Sequence, residues 1–156
     1  MPCQSNGRLP VFLIFTYPDS KGGTVMSRIV KCAHIQASNA KHDGTPAEIK
    51  EAMIQKHIPL IEEAGKKGVN ILCLQEIFYG PYFCAEQDIK WYQTAEPVPG
   101  PTTERLAEYA KKYQMVMVIP VYEMEIDGVY FNTAAVVDAD GTYLGKFRKI
   151  HIPHTW

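Results

Sequence analysis

The sequence predicts an α/β fold in which short apolar strands alternate with capped helices. Three observations predict it. Apolar runs of strand length recur along the chain, two segments open with helix N-terminal signals, and two Asp-Gly pairs separate the last strands. Residues 29–37 are apolar or small at positions 29, 30, 32, 33 and 35, as in a largely buried strand. Thr45-Pro46-Ala47-Glu48 then opens a helix: Thr45 caps, Pro46 suits the first helical position and Glu48 completes a capping box. Ile49, Ala52, Met53, Leu60, Ile61 and Ala64 follow at helical spacing. Pro59 removes one ladder hydrogen bond and predicts a kink or break, and Gly65 and Gly68 are candidate stops. Val69-Asn70-Ile71-Leu72-Cys73-Leu74 is a short buried strand ending at Gln75-Glu76, and a Gly/Pro/aromatic loop follows. A second helix starts around Pro101-Thr102-Thr103-Glu104 and places Leu106, Tyr109, Ala110 and Tyr113 on one face. Residues 115–121 form a strand ending at Tyr122-Glu123. Asp127-Gly128 marks a hairpin into a strand over residues 129–137, and Asp140-Gly141 marks another turn. The order is β-α-β-(loop/α)-α-β-β-β.

Composition narrows the function classes. The 156 residues suit one domain of ordinary size. With 16 Lys plus Arg against 17 Asp plus Glu, the net charge of −1 excludes a bulk electrostatic grip on nucleic acid or on an anionic membrane. Hydrophobic residues at 46% and charged residues at 21% exclude a disordered chain. No apolar run approaches the ~18 residues of a membrane-spanning helix. Cys3, Cys32, Cys73 and Cys84 form no CxxC pair and are too sparse for a disulfide scaffold, so a reducing, cytoplasmic setting fits. Cys32 and Cys73 lie in apolar runs, where a buried thiol is usual. Residues 1–25 read as an extra leader outside the fold, with the domain starting near Met26. Their short apolar run after Arg8 also admits a targeting signal, but no Ala-x-Ala-like site follows it.

Three charged positions stand out. Glu76 closes a buried strand, at the carboxyl end where α/β sheets bind ligands, so it is a candidate general base. Strand-end acids are common, and position alone favours a solvated group. Glu123 has the same standing after the next strand. Lys149 lies in the basic stretch over residues 146–154. It either brings an ammonium to a pocket to stabilise an oxyanion or forms a solvated, edge-protecting charge. His57 lies near the apolar helix stripe and reads as a packing residue, and the tyrosines read as core or loop packing.

Leu74-Gln75-Glu76, Phe78-Tyr79-Gly80-Pro81-Tyr82-Phe83-Cys84, Pro99-Gly100-Pro101-Thr102-Thr103 and Gly145-Lys146-Phe147-Arg148-Lys149-Ile150-His151-Ile152-Pro153 occur in that order. Together they resemble the nitrilase (carbon–nitrogen hydrolase) superfamily, in its N-carbamoyl amidohydrolase branch. The resemblance runs over residues 26–156, roughly the first half of a domain of about 200–250 residues. It implies the N-terminal half of a four-layer α-β-β-α sandwich and a Glu-Lys-Cys triad. Glu76 is then the general base, with Gln75 where the family often has Pro. Lys149 is the oxyanion-stabilising lysine, with Phe147 in place of Tyr. Glu123 resembles an additional glutamate that orients the lysine and the substrate.

The resemblance places the nucleophilic Cys well beyond Lys149. It gives Cys84 a loop position that is not the attacking thiol, and Cys73 lies in a strand. The 156 residues alone are therefore expected not to hydrolyse carbamoyl substrates. The implied reaction converts N-carbamoyl-β-alanine to β-alanine, ammonia and carbon dioxide, without metal or organic cofactor. N-carbamoylputrescine is the alternative substrate, and a short non-catalytic chain that binds full-length relatives is the alternative role. The implied partners are a small N-carbamoyl substrate and further copies of the chain in a homo-oligomer, with neither nucleic acid nor membrane.

Overall fold

The computed structural model describes residues 30–82 and 88–153. The leader expected over residues 1–25, the start at Met26 and Cys84 lie outside the described residues. Five strands and two α-helices follow the order read from the sequence: β1 (Cys32–Ile35), α1 (Pro46–Lys66), β2 (Ile71–Leu74), α2 (Pro101–Tyr113), β3 (Val116–Ile126), β4 (Val129–Val137) and β5 (Tyr143–Arg148). A 3₁₀ helix over Ile89–Thr94 occupies the stretch between β2 and α2.

The strands form one sheet in the order β1-β2-β3-β4-β5. β1, β2 and β3 run parallel, because α1 and α2 cross between them, and the two tight turns make β3-β4 and β4-β5 antiparallel. β5 therefore points the same way as β2 and β3. The Asp127-Gly128 hairpin is present, with Gly128 at φ +85, a left-handed turn position that glycine adopts without strain.

Both helices cover one face of the sheet. Leu72, Leu74, Met117, Ile119, Val121 and Ala135 alternate onto that face, and each is at most 1% exposed. They join Met53, Ile54 and Ile61 of α1 and Leu106 and Ala110 of α2 in one core. The other face is half open: Cys73, Val118, Ala134 and Val136 are partly exposed, and Phe147 is 63% exposed. Cys32 and Cys73 lie on this open side and are half-buried, a correction to the buried thiols expected from their apolar runs.

Several boundaries depart from the expected ones. β1 ends at Ile35 rather than at residue 37, β2 starts at Ile71 rather than at Val69, and β3 runs on to Ile126 as the outer part of the hairpin. α1 runs unbroken through Pro59 to Lys66. Gln55, whose carbonyl loses its ladder partner to the proline, is exposed like Pro59 itself, so that carbonyl is not buried without a partner. Ile54, His57 and Ile61 stay anchored in the core on either side. The Thr45–Glu48 capping box forms in full. Gly65 lies inside α1, and Gly68, at φ +68, follows its end.

Candidate active site

β2 ends at Leu74, and the chain turns immediately. Ile77 takes φ +43, a left-handed conformation that a β-branched residue adopts only when its surroundings enforce it. Those surroundings are the core, where Ile77 is 2% exposed, and the Phe78 N–H, which donates to the Pro120 carbonyl at 3.3 Å. Gln75, standing where the family often has Pro, accepts the Ala37 N–H and ties the ends of β1 and β2 together. Beyond β2, the free edge of β3 is taken up by Tyr79 and Glu96. The Tyr79 hydroxyl donates to the Tyr122 carbonyl at 2.9 Å and accepts the Tyr122 N–H at 2.8 Å. Glu96 bridges to Glu123 through its backbone, while its carboxylate takes Lys50 Nζ at 2.6 Å and the Thr102 N–H and hydroxyl at the start of α2.

This turn aims Glu76 across the carboxyl end of the sheet. Lys149, just past β5, donates from Nζ to Glu76 Oε1 at 2.6 Å. Asn132 of β4 donates from Nδ2 to the same oxygen, also at 2.6 Å. The backbone fixes that geometry, because the Lys149 N–H donates to the Asn132 carbonyl at 2.8 Å. The pair is half open to solvent, with side-chain exposures of 47% for Glu76 and 36% for Lys149. The hydrogen bond from Lys149 to Glu76 raises the lysine above its ordinary range, against a smaller opposing effect of burial. Tyr130 and Tyr122 follow on the same face, and the Tyr92 ring stacks on Tyr130 at 4.5 Å.

Glu123 goes elsewhere. It is opposite Phe131 in the ladder, and Thr133 is opposite Arg148, so these residues share the helix-covered face while Asn132 points to the other. Glu123 is fully buried. Its carboxylate accepts Thr133 Oγ1 at 2.6 Å, Lys146 Nζ at 2.6 Å and two Arg148 nitrogens at 2.7 and 3.1 Å. Burial pushes its carboxyl up, but the bonds from Arg148, Lys146 and Thr133 outweigh that and hold it down at about 2. The structure thus brings Glu76 and Lys149 together and leaves Glu123 apart from both, with its bonds spent on the two cations that precede Lys149. None of the motifs marks Asn132, the third member of this contact; the signal for it is the Asp127-Gly128 hairpin, whose register sets it on the face opposite Glu123.

His57 packs in the core as expected, fully buried, with its ring edge-on to Phe78 at 5.0 Å. Cys73 donates to the Leu74 carbonyl, and burial pushes its thiol up, the opposite of what a nucleophile needs. Among the described residues, no helix is long and apolar enough to cross a membrane, and no three His, Cys, Asp or Glu side chains group to hold a metal ion.

A helix-backed sheet with a Glu–Lys pair across its carboxyl end matches the motifs that the resemblance rests on. The chain belongs to the carbon–nitrogen hydrolase family, whose model matches residues 31–156. It is 42% identical over 129 residues to the β-ureidopropionase of Arabidopsis thaliana, covering 81% of this chain and 32% of that protein. It is 45% identical over 95 residues to the N-carbamoylputrescine amidase of Oryza sativa subsp. japonica, covering 60% of this chain and 31% of that protein. The crystal structure of a carbon–nitrogen hydrolase from Helicobacter pylori G27 aligns with a TM-score of 0.66 at 27% identity, covering 80% of this chain and 40% of that one. The chain spans about a third of the length of these two curated relatives.

Proposed function

We propose that the protein hydrolyses the linear C–N bond of an N-carbamoyl compound, with Glu76 as general base and Lys149 as oxyanion stabiliser. The observation that supports this most directly is the 2.6 Å contact between Lys149 Nζ and Glu76 Oε1 at the carboxyl end of β2. A carboxylate there can take a thiol proton, and an adjacent ammonium can meet the charge that develops on the carbonyl oxygen. Neither Cys32 nor Cys73 bonds to the pair, so the reading calls for a thiol from outside the described residues.

The thiol proton passes to Glu76 as sulfur bonds to the carbamoyl carbon, and the carbonyl electron pair moves onto oxygen beside Lys149. Glu76 returns the proton to the departing nitrogen, the C–N bond breaks and ammonia leaves. Water then bonds to the same carbon as Glu76 takes its proton, the C–S bond breaks, Glu76 returns that proton to the departing sulfur, and the resulting carbamic acid loses carbon dioxide to leave an amine. N-carbamoyl-β-alanine is the substrate we favour, because the relative matched over the larger share of the chain is named a β-ureidopropionase.

The test is ammonia release from N-carbamoyl-β-alanine and from N-carbamoylputrescine by the protein at its native length. Glu76→Gln and Lys149→Met should each abolish release. Release that survives both substitutions overturns the reading, and preference for the putrescine compound replaces the substrate.

A further inference from the structure

We propose that Asn132 is a positioning residue for the Glu76 base, and that Oε2 of Glu76 is the oxygen that takes and returns the proton. The inference rests on the hydrolytic reading above and adds to it which oxygen works and what holds it.

Oε1 of Glu76 accepts two donors, Lys149 Nζ and Asn132 Nδ2, each at 2.6 Å. Among the described residues, Oε2 accepts none, so it alone keeps its lone pairs for a reacting proton. Two donors on one oxygen also fix the rotation of the carboxyl plane, which a single flexible lysine cannot do. Asn132 suits this task because it is itself immobile. It is 5% exposed, lies in the middle of the sheet opposite Tyr122, and its carbonyl accepts the Lys149 N–H. One residue thus sets the side chain of the base and the backbone of the lysine. An aspartate of the same shape would lack the donor and would set a second carboxylate against Glu76.

The nucleophile's proton goes to Oε2 while Oε1 keeps both donors, so Lys149 stays an ammonium throughout and gives up no proton. On collapse of the tetrahedral adduct, the same Oε2–H protonates the leaving nitrogen, and the carboxylate returns to its starting state.

Two measurements test this, both on the protein at its native length. In the first, side-chain amide NMR follows the Asn132 NH₂ group. One of its two protons should exchange with water about ten- to a hundredfold more slowly than an exposed amide, the protection given by a hydrogen bond to a charged group. Glu76→Ala should remove that protection. Fast exchange in the wild type, or protection that persists in Glu76→Ala, overturns the proposal whether or not any hydrolysis is found. In the second, Asn132→Asp is compared with the wild type in the ammonia assay. It should lower kcat by about ten- to a hundredfold with KM nearly unchanged, with both proteins folded at the assay temperature by circular dichroism. Asn132→Asp with wild-type kcat overturns the proposal, because a residue needed only for its volume would tolerate the isosteric acid. A wild type that releases no ammonia from any N-carbamoyl compound overturns the hydrolytic reading, and the exchange measurement still decides the Asn132–Glu76 contact.

Discussion

Arg148 and Lys149 are consecutive in the chain and serve two different carboxylates. Arg148 Nη2 meets Glu123 Oε1 at 2.7 Å on the helix-covered side of the sheet, and Lys149 Nζ meets Glu76 Oε1 at 2.6 Å on the other. The end of β5 is thereby held from both sides. Arg148 is further fixed by Glu125 at 2.9 Å and by the Phe131 ring, whose centroid lies 3.8 Å away. The lysine's backbone position depends on these neighbours as much as on its own bond to Glu76.

Glu123 should accordingly matter to stability more than to chemistry. Glu123→Gln keeps the shape but leaves Lys146 and Arg148 without their buried anion. It should cost on the order of 3 kcal/mol in urea unfolding at pH 7. A loss below about 0.5 kcal/mol would reduce the cluster to an ordinary surface contact.

The same group sets an acid limit. Its folded carboxyl is held down at about 2 against an ordinary value of 4.5. The unfolded chain therefore binds this proton first as pH falls. The stability it supplies is complete above pH 4.5 and is lost between there and pH 2. Unfolding curves at pH 5 and pH 3 should diverge in the wild type and draw closer in Glu123→Gln.

His57 should act in a separate, higher window. Its ring is fully buried, Nδ1 bonds the Met53 carbonyl at 2.8 Å, and Nε2 has no partner among the described residues. Burial holds its protonation below the usual 6.5, only partly offset by the Met53 bond and helped by the neighbouring Lys56 charge. The unfolded chain takes up this proton first, so stability is full above pH 6.5 and declines as pH falls below it. His57→Phe, which can keep an edge contact with Phe78, should flatten the decline between pH 7 and pH 5. An unchanged slope would assign the decline to other groups.

These contacts show where the sequence was legible. The capping box at Thr45, the turn at Asp127-Gly128 and the strand over residues 129–137 are local signals, and each appears where its residues place it. The Glu76–Lys149 pair spans 73 residues and became visible only through the motif resemblance. The different fate of Glu123 follows from register. The Asp127-Gly128 turn sets Glu123 opposite Phe131 and Tyr122 opposite Asn132, so strand alternation sends Glu123 and Asn132 to opposite faces. Pro59 misled for the opposite reason. Propensity marked it as a break, and packing on both sides of an exposed position overrode it.

Gly65 offers a test of helix contact in which the usual sign reverses. Gly→Ala inside a helix ordinarily stabilises by roughly 0.5–1 kcal/mol. Here an added Cβ would lie 2.2 Å from Tyr113 Cγ and 2.7 Å from its Cβ, which is anchored to α2. Gly65→Ala should therefore destabilise by about 1–3 kcal/mol, as overpacking does. Pairing it with Tyr113→Gly, which removes the Cβ as well as the ring, should restore the ordinary helix gain relative to Tyr113→Gly alone. A stabilising single substitution would mean that α1 and α2 stand farther apart.

Lys149 reports on the pair without any turnover. Its hydrogen bond to Glu76 raises it above the ordinary lysine range, so at pH 9 it holds its proton more firmly than an unpaired lysine. Only the free amine attacks an acylating reagent. Glu76→Gln removes the negative charge, lowers the lysine toward its ordinary value and enlarges the free-amine fraction. Acetylation of Lys149 at pH 9, read by peptide mass spectrometry against the other lysines, should rise about two- to tenfold in Glu76→Gln. Asn132→Asp should move it the other way, because a second carboxylate beside Nζ favours the ammonium. Equal reactivity in all three proteins would mean that lysine and glutamate are not paired in solution. The hydrolytic reading would then lose the contact that supports it.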